Sequence, residues 1–327
     1  MFRTPLTLAA FASILLTGTA WAAPAVVAST KPIHSLVAAV MGDLGTPTLL
    51  VKGANSPHTY SLRPSDAAAL ESADIVFWTG HGMELFLADA LETLSTDARV
   101  IELAEAPGIN LLPVREGGTF EAHMHDDDGH AHDDHDHDHD HDHDHAHDED
   151  HADHEDGEGD MHFWLDPDNA KLMVTEIAAT LAEADPDNAT TYQVNAEAEL
   201  ERLDLLSEEL QQTLAPVEGK PFIVFHDAYQ YFENRFDLTV AGSITVSPEA
   251  MPGAARIDQL RARVKELGAT CVFAEPNFEP AIVATIIEGT GAKSATLDPE
   301  GAALTEGPNL YPELLRGLAA SIADCLG

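Results

Sequence analysis

The stretch DPDNATTYQVNAEAELERLDLLSEELQQTLAP, residues 185–216, decides the fold because it predicts one unusually long helix. Asp185 followed by Pro186 is a typical helix start, and Pro216 is a typical stop. At 1.5 Å per residue this helix is about 40–45 Å long, which exceeds the width of a small domain. A helix of that length can join two lobes.

On both sides of this helix, short apolar runs alternate with amphipathic segments. Before it come PAVVAS, PTLLVKG and ADIVFWTG, and after it come PFIVFHDA, DLTVAGSI, ATCVFAEP and KSATLDP. This alternation predicts parallel sheets with helices on both faces. We therefore expect an α/β protein with two Rossmann-like lobes, residues 23–184 and 217–327, joined by the helix 185–216. Ligands of such sheets bind beyond the carboxyl ends of the strands.

The N-terminus carries the features of a secretory signal. The stretch MFRTPLTLAAFASILLTGTAWAAPA has one basic residue, an apolar run and a small-x-small cleavage site, which predicts a signal peptide over residues 1–22. No later run reaches the about 18–20 apolar residues of a membrane span, so we expect a soluble periplasmic protein. In that oxidising compartment two cysteines, here Cys271 and Cys325, more often form a disulfide than stay free thiols.

An acidic, histidine-rich insertion carries much of the charge. The chain has a formal net charge of −41 and 18 histidines, and HAHDDHDHDHDHDHDHAHDEDH, residues 130–151, alternates imidazole with carboxylate. This pattern has no apolar face at the helical or the strand period, so we expect a disordered loop over about residues 117–159. The charge argues against nucleic acid and anionic membranes as partners and favours cations.

Four ligand-type side chains stand where the predicted strands end. His58 lies in GANSPHTYSLRPSD, His162 in DMHFWLDP, His226 at the end of FIVFHDAY, and Asp298 at the end of KSATLDP. Two come from each predicted lobe, so a cleft between the lobes could gather them around one ion. A single histidine at a strand end is nevertheless more often structural than a ligand. The two other histidines outside the insertion are interpreted as structural: His34 and His81.

These segments carry a specific resemblance. In their order and spacing, NSPHTYSLRPSD, MHFWLDPDNA, FIVFHDAY, CVFAEPNFEP and TLDPEG resemble the zinc-type solute-binding proteins of bacterial metal-uptake ABC transporters. The similarity covers nearly the whole mature chain, and the acidic insertion is itself a feature of the zinc members. The resemblance implies two lobes with four-stranded sheets, a metal site in the cleft between them, and a disulfide between the two cysteines.

The resemblance also implies a set of metal ligands. His58, His162 and His226 would bind the ion, and Asp298 would be the fourth ligand or lie close by, with water in its place. Pro57 stands where some zinc members have a carboxylate, which favours Asp298, and the familiar LDPLG is LDPEG here. Three imidazoles and one carboxylate or water suit tetrahedral Zn²⁺, whereas manganese sites favour more oxygen ligands. A carboxylate such as Glu275, in FAEPN, could orient a ligand imidazole.

Three classes of function remain open. The first is a high-affinity receptor, monomeric and without enzyme activity, that captures Zn²⁺ and delivers it to a membrane permease driven by a cytoplasmic ATPase. The second is a zinc hydrolase, although the chain has no HExxH pair and Asp298 would close the site to water. The third is a periplasmic zinc buffer or metallochaperone that acts through the insertion, whose many imidazoles would hold ions weakly and exchange them quickly.

Overall fold

The computed structural model describes residues 23–115, 120, 159–245, 252–268, 270–276, 278 and 280–327. The predicted signal peptide and nearly all of the predicted loop 117–159 lie outside these residues. Within the described part, no helix is both long enough and apolar enough to cross a membrane.

The N-terminal lobe is a parallel sheet with helices on both faces. Its elements in chain order are β1 (Val26–Ala28), α1 (Lys31–Met41), β2 (Thr48–Leu49), α2 (Pro64–Glu71), β3 (Ile75–Trp78), α3 (Leu85–Leu94) and β4 (Arg99–Glu102). The four strands lie in the order β2-β1-β3-β4, and every neighbouring pair is parallel. The first sheet therefore has the class and the strand number that were predicted.

A short ribbon and two helices follow this sheet. They are β5 (Leu112–Pro113), β6 (Gly159–Asp160), α4 (Pro167–Ala184) and α5 (Ala189–Leu214). The strands β5 and β6 pair antiparallel, with Leu112 opposite Asp160, and the insertion leaves the lobe between them. This ribbon is thus the stem of the insertion, and it ends two residues before His162.

The C-terminal lobe repeats the parallel architecture. Its elements are β7 (Pro221–His226), α6 (Gln230–Phe236), β8 (Thr239–Thr245), α7 (Ala254–Leu267), β9 (Cys271–Ala274), α8 (Pro280–Ile287), β10 (Lys293–Thr296) and α9 (Leu310–Leu326). The strands lie in the order β10-β9-β7-β8 and all pair parallel. The predicted fold class, two α/β lobes with four-stranded parallel sheets, is confirmed.

The central strands of each sheet are buried on both faces, which explains their apolar runs in the sequence. In β3, Val76 and Trp78 pack with α2 and α3 on the outer face, whereas Ile75 and Phe77 point to the opposite face. On that opposite face a single apolar core continues from the first sheet, through α1, α4, α5 and α9, to the second sheet. The two lobes therefore share one core.

The long helix lies in the middle of that core. Its buried residues recur every three or four positions: Tyr192, Ala196, Glu199, Leu203, Leu206, Leu210 and Leu214. This spacing forms one buried, mainly apolar stripe, and the helix packs against α4, α9 and α1. The single long helix is confirmed, although residues Pro186–Asn188 form a 3-10 turn, so the α-helix itself is about 39 Å long.

A disulfide fixes the last helix to the second sheet. Cys271 in β9 and Cys325 in α9 are bonded, with their Cα atoms 6.2 Å apart. The predicted pairing is therefore confirmed. The predicted lobe boundaries at residues 184/185 and 216/217 stay predictions, because the shared core leaves no gap at which to divide the chain.

Candidate metal centre

Three histidines from separate segments meet where the two sheets face each other. His226 is the last residue of β7, and His162 follows the stem strand β6. His58 lies in a turn of the loop between β2 and α2. His162 and His226 are buried, with 6% and 4% of their surface exposed, whereas His58 is half-buried. The site lies at the carboxyl ends of parallel strands and in the loops that follow them, as the sequence analysis expected.

The three imidazoles are close enough to share one ion. One potential ligand atom from each ring lies within 4.8 Å of the other two, and among the described residues these histidines are the cluster that meets this condition. Their ring centroids are 5.2–5.9 Å apart. The site that the sequence analysis predicted therefore brings together all three of its histidines.

The distance between two of the rings matches tetrahedral zinc. Nε2 of His162 lies 3.3 Å from Nε2 of His226. Two nitrogen atoms bound to one tetrahedral Zn²⁺ at about 2.0–2.1 Å are about 3.3–3.4 Å apart. The pair thus has the separation of a tetrahedral edge.

A carboxylate fixes each ring of this pair. Oδ1 of Asp160 lies 2.8 Å from Nδ1 of His162, and Oε1 of Glu275 lies 2.7 Å from Nδ1 of His226. The hydroxyl of Tyr229 donates to the same Glu275 oxygen at 3.2 Å. A hydrogen bond donated by Nδ1 leaves Nε2 as the free ligand nitrogen, and it also makes the imidazole a stronger base. Both Nε2 atoms are therefore oriented towards the shared cleft.

Burial and charge act differently on the protonation of the rings. Burial lowers the pKa of His58 well below its usual 6.5, and the positive charges that His162 and His226 can carry lower it further. Burial also lowers the pKa of His226, but the charge and hydrogen bond of Glu275 outweigh it, so the net pKa is raised. The net effect of Glu275 is therefore to favour the protonated form of His226, whereas burial favours the neutral form of His58.

Asp298 lies beside the cluster but not in it. It follows β10 and lines a cavity of about 20 Å³ together with His58 and His226. Its carboxylate does not lie within 4.8 Å of all three histidine nitrogens, and one of its oxygens accepts a 3.4 Å hydrogen bond from the backbone N–H of Ala303. The prediction that Asp298 is the fourth ligand stays a prediction.

A second cavity joins the histidines to the stem of the insertion. It has a volume of about 150 Å³ and is lined by all three histidines. Arg115 and Gly159, the described residues at the two ends of the stem, also line it, as does Asp227. The cavity therefore extends from the three histidines to the stem of the insertion.

The two remaining histidines make contacts that fit a structural role. Nε2 of His34 lies 3.1 Å from the backbone oxygen of Pro47, and burial lowers the pKa of this histidine. His81 is 69% exposed in its side chain, and its Nδ1 pairs with Glu102 at 3.0 Å.

Two further groups at the site were missed by the sequence analysis. Asp160 stands two residues before His162, a spacing that could have been noticed, but it follows a segment already crowded with acidic residues. Arg115, which bonds to Asp227 beside His226, carries no signal in the sequence because its partner is 112 residues away. Glu275, in contrast, was suggested as an orienting carboxylate and makes that contact.

Comparison with known proteins agrees with this geometry. The family described as zinc-uptake complex component A, periplasmic, matches residues 26–325. The high-affinity zinc uptake system protein ZnuA of Brucella abortus (strain 2308) is 56% identical over 304 residues, which cover 92% of this chain and 91% of that protein. That of Paracoccus denitrificans (strain Pd 1222) is 43% identical over 305 residues, or 93% of this chain and 92% of that protein.

A solved structure is also similar in fold. A crystal structure of ZnuA is 29% identical in sequence and has a TM-score of 0.73, covering 93% of this chain and all of that one. The family match begins at the first residue of β1 and ends at Cys325 in α9, so it includes both lobes and every histidine of the cluster. The chain therefore belongs to the family of periplasmic zinc-uptake complex components A.

Proposed function

We propose that this protein is the zinc receptor of an uptake complex, which captures Zn²⁺ in the cleft between its lobes and delivers it to a membrane permease driven by a cytoplasmic ATPase. The observation that carries this proposal is the pair of Nε2 atoms held 3.3 Å apart by two buried carboxylate–imidazole contacts. The names of the relatives, high-affinity zinc uptake proteins, support the same function.

The proposed ligands are His58, His162, His226 and Asp298. Three neutral imidazoles and one carboxylate leave one positive charge on the bound ion, and this donor set suits zinc better than manganese or calcium. Asp298 would have to approach the three nitrogens when the ion binds, and a water molecule would otherwise fill the fourth position.

Capture exchanges a proton for the ion. Glu275 raises the pKa of His226 despite its burial, so protons compete with zinc for its Nε2. Zinc would displace such a proton and bind Nε2 of His162 and Nε2 of His226, while Asp160 and Glu275 would keep the two Nδ1–H groups in place. The lowered pKa of His58 keeps the third imidazole neutral and ready to bind.

The location and the partners follow from the same proposal. The signal peptide of residues 1–22 would direct the chain to the periplasm, where the Cys271–Cys325 disulfide is stable. The receptor would act as a monomer, since one receptor docks on one permease. Its formal charge of −41 attracts cations and would raise the local concentration of zinc.

A zinc buffer is the second candidate function, because 13 of the 18 histidines of the chain lie in the insertion. Sites without fixed geometry bind weakly, so the insertion would serve to supply the cleft with ions. A zinc hydrolase is a weaker candidate, since Asp298 would occupy the position that a catalytic water needs.

The deciding experiment is a zinc titration, by competition with a chromophoric chelator, of the mature chain and of a chain without residues 117–159. We expect one tight site in both proteins and its loss in a His226→Ala variant. A His81→Ala variant is the matched control, because it removes an exposed histidine outside the cluster. A trimmed chain without tight zinc binding would contradict the proposal and favour the buffer.

Two further experiments separate the remaining functions. Deletion of the gene should cause a growth defect in zinc-poor medium. Returning the gene should correct this defect only in cells with an intact permease, whereas a pure buffer would correct it without the permease. Hydrolysis of ester or peptide substrates by the zinc-loaded protein, abolished by His226→Ala, would instead favour the hydrolase.

A further inference from the structure

Arg115 joins the stem of the insertion to the C-terminal lobe beside the metal centre. It lies two residues after β5, and its guanidinium contacts two carboxylates of the other lobe. Nε donates to Oδ2 of Asp227 at 3.0 Å, and Nη2 bonds the other oxygen of that carboxylate. Nη1 and Nη2 donate to the two oxygens of Glu233 at 3.1 and 2.7 Å. One guanidinium thus holds both carboxylates in a bidentate manner.

Asp227 is a carboxylate that lies beside the metal centre. It directly follows His226 and lines the same 150 Å³ cavity as the three histidines. Its side chain is only 10% exposed, so little water competes for its charge. A divalent cation attracts such a carboxylate strongly, and an added oxygen ligand moves a site from the preference of zinc towards that of manganese.

We propose that Arg115 is a specificity-determining residue that holds the carboxylate of Asp227 away from the metal and so preserves an imidazole-rich site that prefers Zn²⁺ over Mn²⁺. This inference rests on the proposed function of the cleft. Arg115 would act through Asp227, with which it forms hydrogen bonds, so it is a positioning residue and not a ligand.

Other contacts hold the stem in place without Arg115. The hydroxyl of Tyr231 accepts a hydrogen bond from the backbone N–H of Leu112 at 2.8 Å and donates to the backbone oxygen of Asp160 at 2.7 Å. Nε2 of Gln230 donates to the backbone oxygen of Pro113 at 3.1 Å. Both β5 and β6 thus stay attached to α6 when the guanidinium is removed, so the variant is expected to fold.

The test compares the dissociation constants of Zn²⁺ and Mn²⁺ at the tight site of the full mature chain, measured by chelator competition. The tight site is the binding that a His226→Ala variant lacks. In Arg115→Gln we expect the preference for Zn²⁺ over Mn²⁺ to fall by about tenfold or more, the effect of losing a residue that orients groups around a metal. A second change, Asp227→Asn, should restore the preference, since it removes the added ligand.

Arg235→Gln is the matched control. Arg235 lies on α6, as does Glu233, and pairs in a bidentate manner with Asp166 at 2.7 and 2.9 Å. It lines neither cavity of the metal centre. We expect this variant to keep the preference of the unaltered protein. If it lost the preference to the same extent as Arg115→Gln, docking of the lobes would explain both effects and the inference would fail.

The outcomes separate this inference from the proposed function. An unaltered chain without tight zinc binding would overturn both. A chain that binds zinc tightly, but whose metal preference is unchanged in Arg115→Gln or is not restored by Asp227→Asn, would overturn the inference alone. Should Arg115→Gln fail to fold, Arg115→Lys keeps the charge but cannot bridge both carboxylates, and the same loss of preference is expected from it.

Discussion

Replacement of Glu275 by glutamine should weaken zinc binding and change its dependence on pH. Oε1 of Glu275 lies 2.7 Å from Nδ1 of His226, and the hydroxyl of Tyr229 also bonds it. Glutamine has nearly the same shape and can still accept a hydrogen bond, but it carries no charge. The variant therefore removes the electrostatic effect on the ligand imidazole and leaves the packing almost unchanged.

The expected loss is largest at alkaline pH, where protons compete least with zinc. Removal of a partner that orients a ligand histidine costs about 10- to 100-fold in metal affinity. This corresponds to about 1.4–2.7 kcal/mol of binding free energy. We expect a loss in this range for Glu275→Gln at pH 8.5.

The loss should shrink as the pH falls, because Glu275 also favours the proton that zinc must displace. Burial lowers the pKa of His226, but Glu275 raises it to a net value above 6.5. Below that pKa, the affinity of the unaltered protein falls by about tenfold per pH unit for each displaced proton. In Glu275→Gln the pKa of His226 is lower, so its affinity begins to fall only at lower pH and the two curves converge.

The raised pKa of His226 also determines how the stability of the metal-free protein depends on pH. Because the pKa of His226 is higher in the folded than in the unfolded chain, its protonation stabilises the fold below about pH 6.5. This contribution disappears as the pH rises through the folded pKa. Zinc binding has the opposite dependence on pH, so the metal-free and zinc-loaded proteins should differ most in thermal stability at alkaline pH.

The assay is a chelator competition at several pH values from 5.5 to 8.5, with Glu102→Gln as control. Glu102 also pairs with an imidazole, that of His81 at 3.0 Å, but this pair lies outside the cluster. The control should follow the unaltered protein at every pH. Parallel curves for Glu275→Gln and the unaltered protein, or equal affinities at pH 8.5, would refute the reasoning.

Three other predictions concern the ligand set and the fold. Asp298→Ala should weaken zinc binding less than His226→Ala does, and equal affinities of Asp298→Ala and the unaltered protein would exclude Asp298 as a ligand. Cys325→Ser, which opens a bond across 54 positions, should lower the free energy of unfolding by about 4 kcal/mol in denaturant titrations, and reduction of the unaltered protein should match it. Leu206→Ala, at a position 1% exposed in α5, should cost about 2–5 kcal/mol. Its neighbour Leu205 is 66% exposed, so Leu205→Ala should cost no more than about 0.5 kcal/mol; similar losses in both would contradict the assigned buried face.

The sequence predicted the sheets and the three histidines because local signals carry this information. Strands buried on both faces are apolar runs, and a ligand at the carboxyl end of such a strand stands directly after the run, as His226 follows FIVF. The long helix starts at the predicted Asp185–Pro186 signal, but its first turn is a 3-10 turn for a local reason. Asp185 accepts hydrogen bonds from Asn188 and Tyr192, and these contacts accompany a 3-10 turn before the α-helix begins.

The placement of Asp298 could not be predicted, because contacts between the lobes determine it. The loop that follows Asp298 is held by α1 of the other lobe. Nζ of Lys31 donates to the backbone oxygens of Gly301 and Ala302 at 2.9 and 2.8 Å, and the contact joins residues about 270 positions apart. Neither the periodicity nor a motif of the sequence indicates such a contact. The sequence therefore pointed to Asp298 as a candidate ligand but could not predict its distance from the histidines.

The segment that carries His162 is bonded to the C-terminal lobe, although the sequence analysis assigned this histidine to the N-terminal lobe. By position in the chain His162 belongs to the N-terminal lobe, but its stem is bonded to α6 of the C-terminal lobe through Tyr231 and Arg115. A relative movement of the lobes would therefore carry His162 and His226 together and preserve the 3.3 Å between their Nε2 atoms. His58, whose ring has no carboxylate partner among the described residues, would be the histidine that separates first.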